Sequence, residues 1–399
     1  MSGLPAQSEM RNEYADFDHN DGSLDAAEFR QRHGTMRERC PVAHSDQHGG
    51  FDVVTRYDDV RSVLTAPAVF SSADGVFIPP SGFPRVAAME FDDPEHARWR
   101  KLMGPPLTVR AVREFEPTIV EVADELIDAF SDRGSADLIH EYAEPLPAIV
   151  VGRIVGLGTD EALAGQARAS RLYAAIGTPE FDVQMAEFTA FIEDQLQDRR
   201  KRPREDFLTQ IASGSVEGEP IDADGAASLM IAYIVGGHHS TGSGIAALLR
   251  DVLSDRDIRL AVQTDPKSMT RAVDESLRLN TPLQYFARTV NDDAEVGDVQ
   301  VAAGGRVLVD LAAANRDPRV FECPERFQLD RKRNPHVAFG AGAHVCLGQH
   351  LARAEMRVAA TRLLERLPDL RQIGDAPEDV VAGKLLTTSV LSVEFTPVG

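Results

Sequence analysis

Apolar residues recur at the 3.6-residue spacing of amphipathic helices along most of the chain beyond Asp92. Shorter stretches of alternating or continuous apolar residues predict a few strands. The predicted helices cover residues 111–132, 181–199, 222–254, 268–279 and 349–366, and strand-like pieces cover 51–57, 300–309 and 389–396. The pattern therefore predicts a mainly α-helical protein with small peripheral β-sheets.

The same pattern predicts the domain organisation. Residues 1–45 are the most polar part of the chain, and we expect them to form a loosely attached segment leading into the domain. No linker of distinct composition divides the remainder, so residues 46–399 are expected to form a single domain. A loop rich in glycine and proline is predicted at 74–84.

Charge and cysteine content narrow the class of protein. The chain of 399 residues has 42 Lys+Arg against 63 Asp+Glu, which gives a net charge of −21 and argues against a nucleic-acid partner. Its three cysteines are few and far apart, as is typical of a reducing compartment. The polar N-terminus does not resemble a signal peptide, and the longest apolar window, 228–237, falls short of the ~18 residues that a membrane span needs. We expect a soluble, cytoplasmic protein without a membrane anchor.

The strongest chemical signal surrounds Cys346, in the sequence FGAGAHVCLGQHLARAEM of residues 339–356. Glycines on either side let the backbone adopt positive φ angles and approach a flat group closely. A helical pattern begins just after the cysteine, and the positive end of a helix dipole favours a thiolate. A thiolate here could be a nucleophile or a metal ligand, whereas a lone cysteine in such a turn is more commonly only a buried thiol.

The spacing F-G-x-G-x-H-x-C-x-G resembles the haem-binding loop of the cytochrome P450 family. This resemblance implies that Cys346 is the axial thiolate of a haem iron. It further implies that Phe339 packs beside the sulfur, that His344 reaches a haem propionate, and that Gly348 belongs to the haem-binding loop.

Other segments match the family in the same order along the chain. Glu275 and Arg278 correspond to its ExxR pair, and the later PERF sequence supplies Arg326 as the third member of a buried Glu–Arg–Arg cluster. The NRDP sequence at 315–318 also matches. The resemblance implies that the haem propionates are bound by His96 and Arg100, one helical turn apart, and by Arg288.

The helix predicted at 222–254 corresponds to the family's oxygen-activating helix, with Gly237, His239, Ser240 and Thr241 as candidate catalytic residues. The adjacent glycines 236 and 237 predict a bend or a π-bulge. Where the family has an acid followed by threonine, this chain has His239 and Ser240, and histidine can relay protons near neutral pH. Alternatively, His238 and His239 are polar residues facing water, and oxygen activation is impaired or replaced by the use of peroxide.

Two weaker patterns near the N-terminus suggest metals. Cys40, His44 and His48 have the spacing C-x3-H-x3-H, but Pro41 and a missing fourth ligand argue against zinc. Residues 16–28 resemble a calcium loop in which the glycine and the final glutamate each fall one place late, so we reject an EF-hand.

The resemblance implies a monooxygenase that contains haem b and inserts one atom of O2 into a largely apolar small organic substrate. Since no G-x-G-x-x-G motif opens a helix after a strand, we expect reducing equivalents to come from outside the chain. The resemblance to soluble bacterial members of the family implies that electrons from NAD(P)H arrive through a separate ferredoxin reductase and ferredoxin. The alternatives are a family member that uses peroxide, isomerises or couples substrates, and a non-catalytic haem protein that binds a ligand. The residues expected at the substrate are Phe77, Ile78, Tyr233, Leu283, Gln284, Phe286 and Leu385.

A ferredoxin is itself acidic, so its docking requires a local basic surface on this acidic chain. Basic residues cluster in two segments that flank the predicted thiolate side of the haem. The candidate docking residues are Arg98, Lys101, Arg110, Arg113, Arg331, Lys332, Arg333, Arg353 and Arg357, with Arg100 assigned to the haem.

Overall fold

The computed structural model describes residues 13–22, 24–216, 218–374, 379–382 and 385–398. The chain divides into two compact units. The first contains the described residues of Met1–Pro80, Ala247–Cys346 and Asp375–Ser389, and the second contains those of Ser81–Ala246, Leu347–Gly374 and Val390–Gly399.

The helices of the described residues are, in chain order, α1 (Ala26–Arg39), α2 (Tyr57–Thr65), α3 (Glu95–Met103), α4 (Val109–Asp128), α5 (Pro145–Val155), α6 (Thr159–Ala174), α7 (Phe181–Lys201), α8 (Phe207–Ala212), α9 (Ala223–Ser254), α10 (Arg256–Thr264), α11 (Pro266–Asn280), α12 (Leu311–Ala314) and α13 (Gln349–Arg366). The strands are β1 (Val42–Ser45), β2 (Phe51–Val54), β3 (Phe70–Ser71), β4 (Ser135–Asp137), β5 (Ser215–Val216), β6 (Glu219–Pro220), β7 (Tyr285–Val290), β8 (Ala294–Val296), β9 (Val299–Val301), β10 (Arg306–Asp310), β11 (Arg371–Gln372), β12 (Asp379–Ala382), β13 (Leu385–Thr388) and β14 (Ser392–Glu394).

This architecture confirms the prediction of a mainly α-helical protein with small sheets. The predicted strand at 300–309 is divided into β9 and β10, because a turn through Gly304, at φ +80°, separates them. The bend or π-bulge expected in the long helix is not a π segment, since α9 is α-helical from Ala223 to Ser254.

The first unit is built on a five-stranded sheet in the order β1-β2-β10-β7-β3. Strands β2 and β10 are parallel, with Val307 opposite Asp52, and the other neighbours are antiparallel. Helix α2 packs on this sheet, where Val60 and the strand residues Val54 and Val309 are fully buried. The second unit is mostly helical, with small sheets in the order β11-β14-β4 and β5-β6.

The polar segment at the N-terminus is packed more firmly than its composition predicts. Phe17 and Met36 are fully buried, in a cluster with Phe51 and Leu308 of the five-stranded sheet. Helix α1 begins with a capping box in which Asp25 accepts from the Glu28 amide and Glu28 accepts from the Asp25 amide. The expected loose attachment is therefore wrong for residues 13–45, and the domain boundary at residue 46 stays a prediction.

A buried carboxylate organises the segment that leads to the cysteine loop. Glu275 of α11 is fully buried and accepts hydrogen bonds from Arg278 at 2.8 and 2.9 Å. Arg331 donates to the same carboxylate at 3.0 Å from both Nε and Nη2, and Asn334 donates at 3.2 Å. Burial alone would raise the pKa of Glu275, but the hydrogen bonds from the two arginines outweigh burial and lower it.

The prediction that Arg326 completes this cluster is wrong. The Arg326 side chain is exposed, and the residue contributes only its backbone carbonyl, which accepts from Arg278 and Arg331. The chain turns so that Arg331, farther along, reaches the carboxylate instead.

Asn315 connects this cluster to the cysteine loop. Its carbonyl accepts from Arg278 Nη1 at 2.9 Å, and its side-chain oxygen accepts from the backbone amide of Val337 at 2.7 Å. Asn315 is fully buried, so these hydrogen bonds are protected from water. The NRDP sequence therefore fixes the backbone just before Phe339.

Replacing Arg331 with alanine should destabilise the protein by roughly 2–4 kcal/mol, because buried Glu275 loses charge-assisted hydrogen bonds. The matched Arg326→Ala variant removes an exposed side chain and should change the free energy of unfolding by less than about 0.5 kcal/mol. Denaturant unfolding of both holoproteins measures the difference.

The same pair tests the titration of Glu275. A lowered folded pKa contributes stability above the unfolded pKa of about 4.3, and this contribution is lost as the pH falls through the folded value. The gap between Arg331→Ala and wild type should therefore narrow at acid pH. If Arg331→Ala and Arg326→Ala have equal free energies of unfolding at pH 7, Arg331 is no more important to the cluster than Arg326.

Candidate active site

The loop that carries Cys346 is shaped by its glycines. Gly340 and Gly342 both have φ of +71°, a left-handed conformation that side chains disfavour. A Cβ atom at Gly342 would also lie 2.6 Å from the carbonyl oxygen of Leu64, so no side chain fits there. The Cys346 amide donates to the Phe339 carbonyl at 2.8 Å, which closes the loop.

The donor chemistry of this loop fits a haem iron. Cys346 is exposed although its backbone amide is hydrogen-bonded, so the loop is fixed while the side chain is accessible. Thiolate sulfur is a soft ligand suited to haem iron. Helix α13 begins at Gln349, just after the cysteine, with Gly348 as its N-cap, and this placement favours the thiolate.

The residues expected to bind the propionates lie in both units. In the first unit, His344 ends a 3-10 turn that begins at Gly342, and Arg288 of β7 is buried and donates to the Ala287 carbonyl at 2.7 Å. In the second unit, His96 is buried on α3 with Nδ1 3.2 Å from Asp93. Arg100 follows one turn later on α3. Their roles at the haem stay predictions.

Helix α9 presents its candidate catalytic residues on two faces. A Cβ at Gly236 would meet no described atom within 4 Å, and Ser240, one turn later, points its hydroxyl back to the Gly236 carbonyl at 3.5 Å. In contrast, Gly237 faces α5, where a Cβ would lie 2.8 Å from Val151, and Thr241 is buried. Within the second unit, Ser240 is thus on an open face and Gly237 on a packed one.

Of the two histidines of α9, His238 does not face water and His239 is half-buried. His238 is buried and its Nδ1 donates to the Ile234 carbonyl, which leaves Nε2 as an acceptor 3.1 Å from His239 Nε2. Ser170 of α6 lies 3.1 Å from the same His239 nitrogen, and Tyr173 stacks on the ring at 5.2 Å. Burial lowers the pKa of His238 to about 4 and that of His239 to about 3, so both imidazoles are neutral at pH 7.

Three of the residues expected at the substrate are buried and contact other parts of the protein. The Tyr233 hydroxyl donates to the Met103 carbonyl at 2.8 Å in the interior of the second unit. Gln284 is buried, and its amide donates to the Asn280 and Thr281 carbonyls at the end of α11. Ile78 is buried in the cluster that contains Phe17. Contact of these three side chains with a substrate stays a prediction.

The remaining substrate residues form two pairs in the first unit. Phe77 and Phe286 are half-buried with ring centroids 6.1 Å apart. Leu283 pairs with Leu385 in an isolated antiparallel bridge, and Leu283 is also half-buried. Phe77, Leu283 and Phe286 thus each expose part of an apolar side chain.

Sequence reasoning missed the partners of two key residues. Arg331 is one of three consecutive basic residues, and nothing in that run distinguishes the buried member from the exposed ones. Ser170 and Tyr173 are about seventy positions from His239, and only the packing of α6 on α9 brings them together. No local pattern in the sequence could have identified them.

Comparison with known proteins agrees with this geometry. Residues 179–389 match the family model described as Cytochrome P450. The chain is 31% identical to a steroid C26-monooxygenase of Mycolicibacterium smegmatis, over 92% of this chain and 93% of that protein. It is 36% identical to the nocardicin C N-oxygenase of Nocardia uniformis, over 91% and 93%. The crystal structure of CYP108D1 from Novosphingobium aromaticivorans, 27% identical, superposes with a TM-score of 0.86 and covers all of both chains.

The chain belongs to the cytochrome P450 family, as the cysteine loop predicts. It is a cytochrome P450 monooxygenase, an oxidoreductase that uses haem iron and dioxygen. Among the described residues, no helix combines the length and the apolar character that crossing a membrane requires.

If Cys346 is the axial ligand, the reduced protein treated with carbon monoxide should show a red-shifted Soret band. Cys346→Ser should lose this band, because a serine oxygen is a harder and weaker donor to iron. Cys323→Ser is the matched control, since Cys323 is also an exposed cysteine of the first unit, and it should keep the band. A red-shifted band in Cys346→Ser would contradict the assignment.

Proposed function

We propose that this enzyme inserts one oxygen atom from O2 into a largely apolar small organic substrate, with electrons from NAD(P)H delivered by a separate ferredoxin reductase and ferredoxin. The observation that carries the proposal is the exposed side chain of Cys346 in a glycine loop fixed by the Glu275 cluster and Asn315. Haem b, when bound at this thiolate, supplies the iron at which dioxygen is activated.

The proposed haem ligands of the chain are complementary to such a cofactor. Cys346 would provide the sulfur ligand with Phe339 beside it, and Gly348 and the other glycines of the loop would allow close approach to a flat ring. Two haem propionates require positive or hydrogen-bonding groups, which His344, Arg288, His96 and Arg100 offer.

The apolar side chains of Phe77, Leu283 and Phe286 support an apolar substrate, because their accessible surface is free of charge. The names of two similar proteins also point to apolar compounds. One is named a steroid C26-monooxygenase, and the myxobacterial cytochrome P450 CYP267B1, 28% identical with a TM-score of 0.85, is known in complex with myristic acid. A substrate with an extended hydrocarbon part, such as a steroid or a fatty acyl chain, is therefore proposed.

Proton delivery is assigned to Ser240 and His239. The Ser240 hydroxyl lies on the open face of α9 beside Gly236 and can hold a proton donor there. His239 is neutral at pH 7, so it cannot store a proton as an imidazolium. Its Nε2 lies 3.1 Å from both Ser170 Oγ and His238 Nε2, so a neutral His239 can hold a proton at Nε2 and share it with either neighbour.

A second candidate function is the use of peroxide in place of O2 and electrons. It is favoured by one observation, the replacement of the family's acid and threonine by His239 and Ser240 in a buried, neutral environment. Peroxide already carries both the electrons and the protons that the ferredoxin route must supply.

His239→Ala should lower the product formed per NAD(P)H consumed by roughly 10-fold, less than the loss of a direct general acid, because water can replace part of a relay. The assay uses purified ferredoxin, reductase and a substrate chosen by titrating a panel of steroids and fatty acids while following the haem spin state. His239→Gln, which keeps hydrogen bonding, should fall between wild type and His239→Ala.

The pH profile separates a neutral relay from a titrating one. With a pKa of about 3, His239 stays neutral from pH 6 to 8, so the ratio of coupling in wild type to that in His239→Gln should be flat. Unchanged coupling in His239→Ala would make His239 a bystander. Turnover with hydrogen peroxide that exceeds turnover with the full electron-transfer chain would favour the second candidate.

Several of the predicted docking residues are paired with other groups within their own unit. Arg331 is committed to Glu275, while Arg110 and Arg357 pair with Glu114 and Glu116. Arg98 donates to the Pro220 carbonyl at 2.6 Å. Of the predicted residues, those that are exposed and make no ion pair with another described residue are Arg113, Lys332 and Arg333.

Arg113→Glu should slow reduction by ferredoxin roughly 3- to 10-fold at low ionic strength, because steering by complementary charge raises association rates. The difference should disappear near 1 M salt, where the Debye length is about 3 Å. Arg202→Glu makes the same charge change at the exposed end of α7 and should have little effect. Equal rates for both variants at low salt, measured by stopped-flow reduction, would exclude Arg113 from the docking surface.

A further inference from the structure

Three side chains that the proposed reaction does not use meet at one corner of the first unit. Asp18 and His19 precede α1, and His48 lies in the turn between β1 and β2. Potential ligand atoms of the three residues all lie within 4.8 Å of one another. His48 Nε2 is 2.9 Å from Asp18 Oδ1, and His19 Nδ1 is 3.9 Å from the same oxygen.

The hydrogen bonds of His19 determine which of its nitrogens is available. Nε2 lies 2.6 Å from the carbonyl oxygen of Ile78, which can only accept. The Asn20 side-chain amide nitrogen is 3.2 Å from the same Nε2 but donates to the Ile78 carbonyl at 3.0 Å, so we assign the proton to Nε2. Nδ1 therefore presents a lone pair. It is buried on a residue with 2% exposure and has no hydrogen-bond partner among the described residues. A buried lone pair facing a carboxylate at this distance calls for a group between them that interacts with both, and a cation is such a group.

The surroundings of His19 are those of a metal ligand. A ligating histidine commonly donates its other ring nitrogen to a backbone carbonyl, which fixes the tautomer and the ring orientation, as Ile78 does here. The ring is further held by edge-on contacts with Phe51 and Tyr285 at 5.2 and 4.8 Å. The Tyr285 hydroxyl donates to the His19 carbonyl at 2.5 Å, so the backbone is fixed as well.

An uncommon backbone conformation places the His48 side chain beside Asp18. The His48 φ of +52° is left-handed, a region that residues other than glycine seldom occupy, and Gly49 and Gly50 follow with φ of +90° and +94°. Asp18 is fixed in turn by the Asn20 amide, which donates to Oδ1 at 2.8 Å. All three side chains are thus oriented by groups outside the cluster.

We infer that Asp18, His19 and His48 form a binding site for a divalent transition cation of the zinc class. Two imidazoles and one carboxylate suit zinc rather than calcium or magnesium, which prefer oxygen. Ligand atoms about 2.0–2.2 Å from a tetrahedral zinc ion are roughly 3.3–3.6 Å apart, and the observed separations of 2.9 and 3.9 Å lie on either side of that range. A water molecule would supply the fourth ligand.

The site would join the N-terminal segment to the β1–β2 turn, with one coordination position left to water. Through the Ile78 carbonyl it would also fix the residue next to Phe77, in the segment proposed to contact the substrate. The residues of the sequence pattern C-x3-H-x3-H have other partners, because His44 pairs with Asp52 at 2.8 Å and the Cys40 thiol donates to the Val42 carbonyl at 3.6 Å. Only His48 of that pattern reaches the new site.

Equilibrium dialysis of the haem-loaded enzyme against zinc chloride, with zinc measured by atomic absorption, tests the proposal. Wild type should bind one zinc ion per chain that His48→Asn and Asp18→Asn bind at least about 10-fold more weakly, since loss of even a ligand's supporting hydrogen bond has effects of that size. Asparagine tolerates left-handed φ and can still donate to Asp18, so His48→Asn should remain folded.

His140→Ala is the matched control, because it removes a histidine that pairs with an aspartate, Asp137 at 2.6 Å, without a second histidine of the described residues beside them. The His140→Ala variant should bind zinc as wild type does. Zinc should also raise the melting temperature of wild type and of this control but not of His48→Asn. Equal zinc binding by wild type and both cluster variants would overturn the proposal. The absence of zinc binding by the wild-type enzyme would overturn it as well. Displacement of zinc by equimolar calcium would contradict the assigned class of ion.

Discussion

The buried carboxylate of Glu275 is the constraint on which the first unit's functional loop depends. A carboxylate with no solvent is tolerable only if it is fully hydrogen-bonded, and Arg278, Arg331 and Asn334 supply those bonds. Each partner that satisfies Glu275 also fixes a piece of irregular chain. Arg278 also donates to the Asn315 carbonyl, and the Asn315 side-chain oxygen accepts from the Val337 amide. The hydrogen-bond network therefore reaches the backbone that leads to Cys346.

The loop itself is specified by backbone sterics rather than by side-chain contacts. Gly342 is required twice, by its φ of +71° and by the Leu64 carbonyl that a Cβ would strike. Cys346 is thereby held by its amide while its side chain is left accessible. Sterics distinguish two faces of α9 in a similar way. The face of Gly237 packs against Val151, whereas the face of Gly236, which also carries Ser240, is open.

The interior changes the chemistry that the sequence alone suggests for histidine. In water His239 would titrate near neutrality, whereas burial among Ser170, Tyr173 and His238 keeps it neutral. Burial has a related effect on His19, whose fixed tautomer exposes a lone pair to Asp18. In both places a hydrogen bond to a backbone carbonyl, from His238 to Ile234 and from His19 to Ile78, decides which nitrogen is available.

Periodicity and glycine spacing in the sequence determined the helices α7, α9, α11 and α13, the cysteine loop and its family, because these features arise from interactions between residues close along the chain. The choice of Arg331 over Arg326, the partners of His239 and the packing of residues 13–45 were decided only by tertiary structure. Each depends on segments distant in sequence meeting in space. Residues of the same type are equivalent in a sequence, and burial and distance alone distinguish the one that forms the contact.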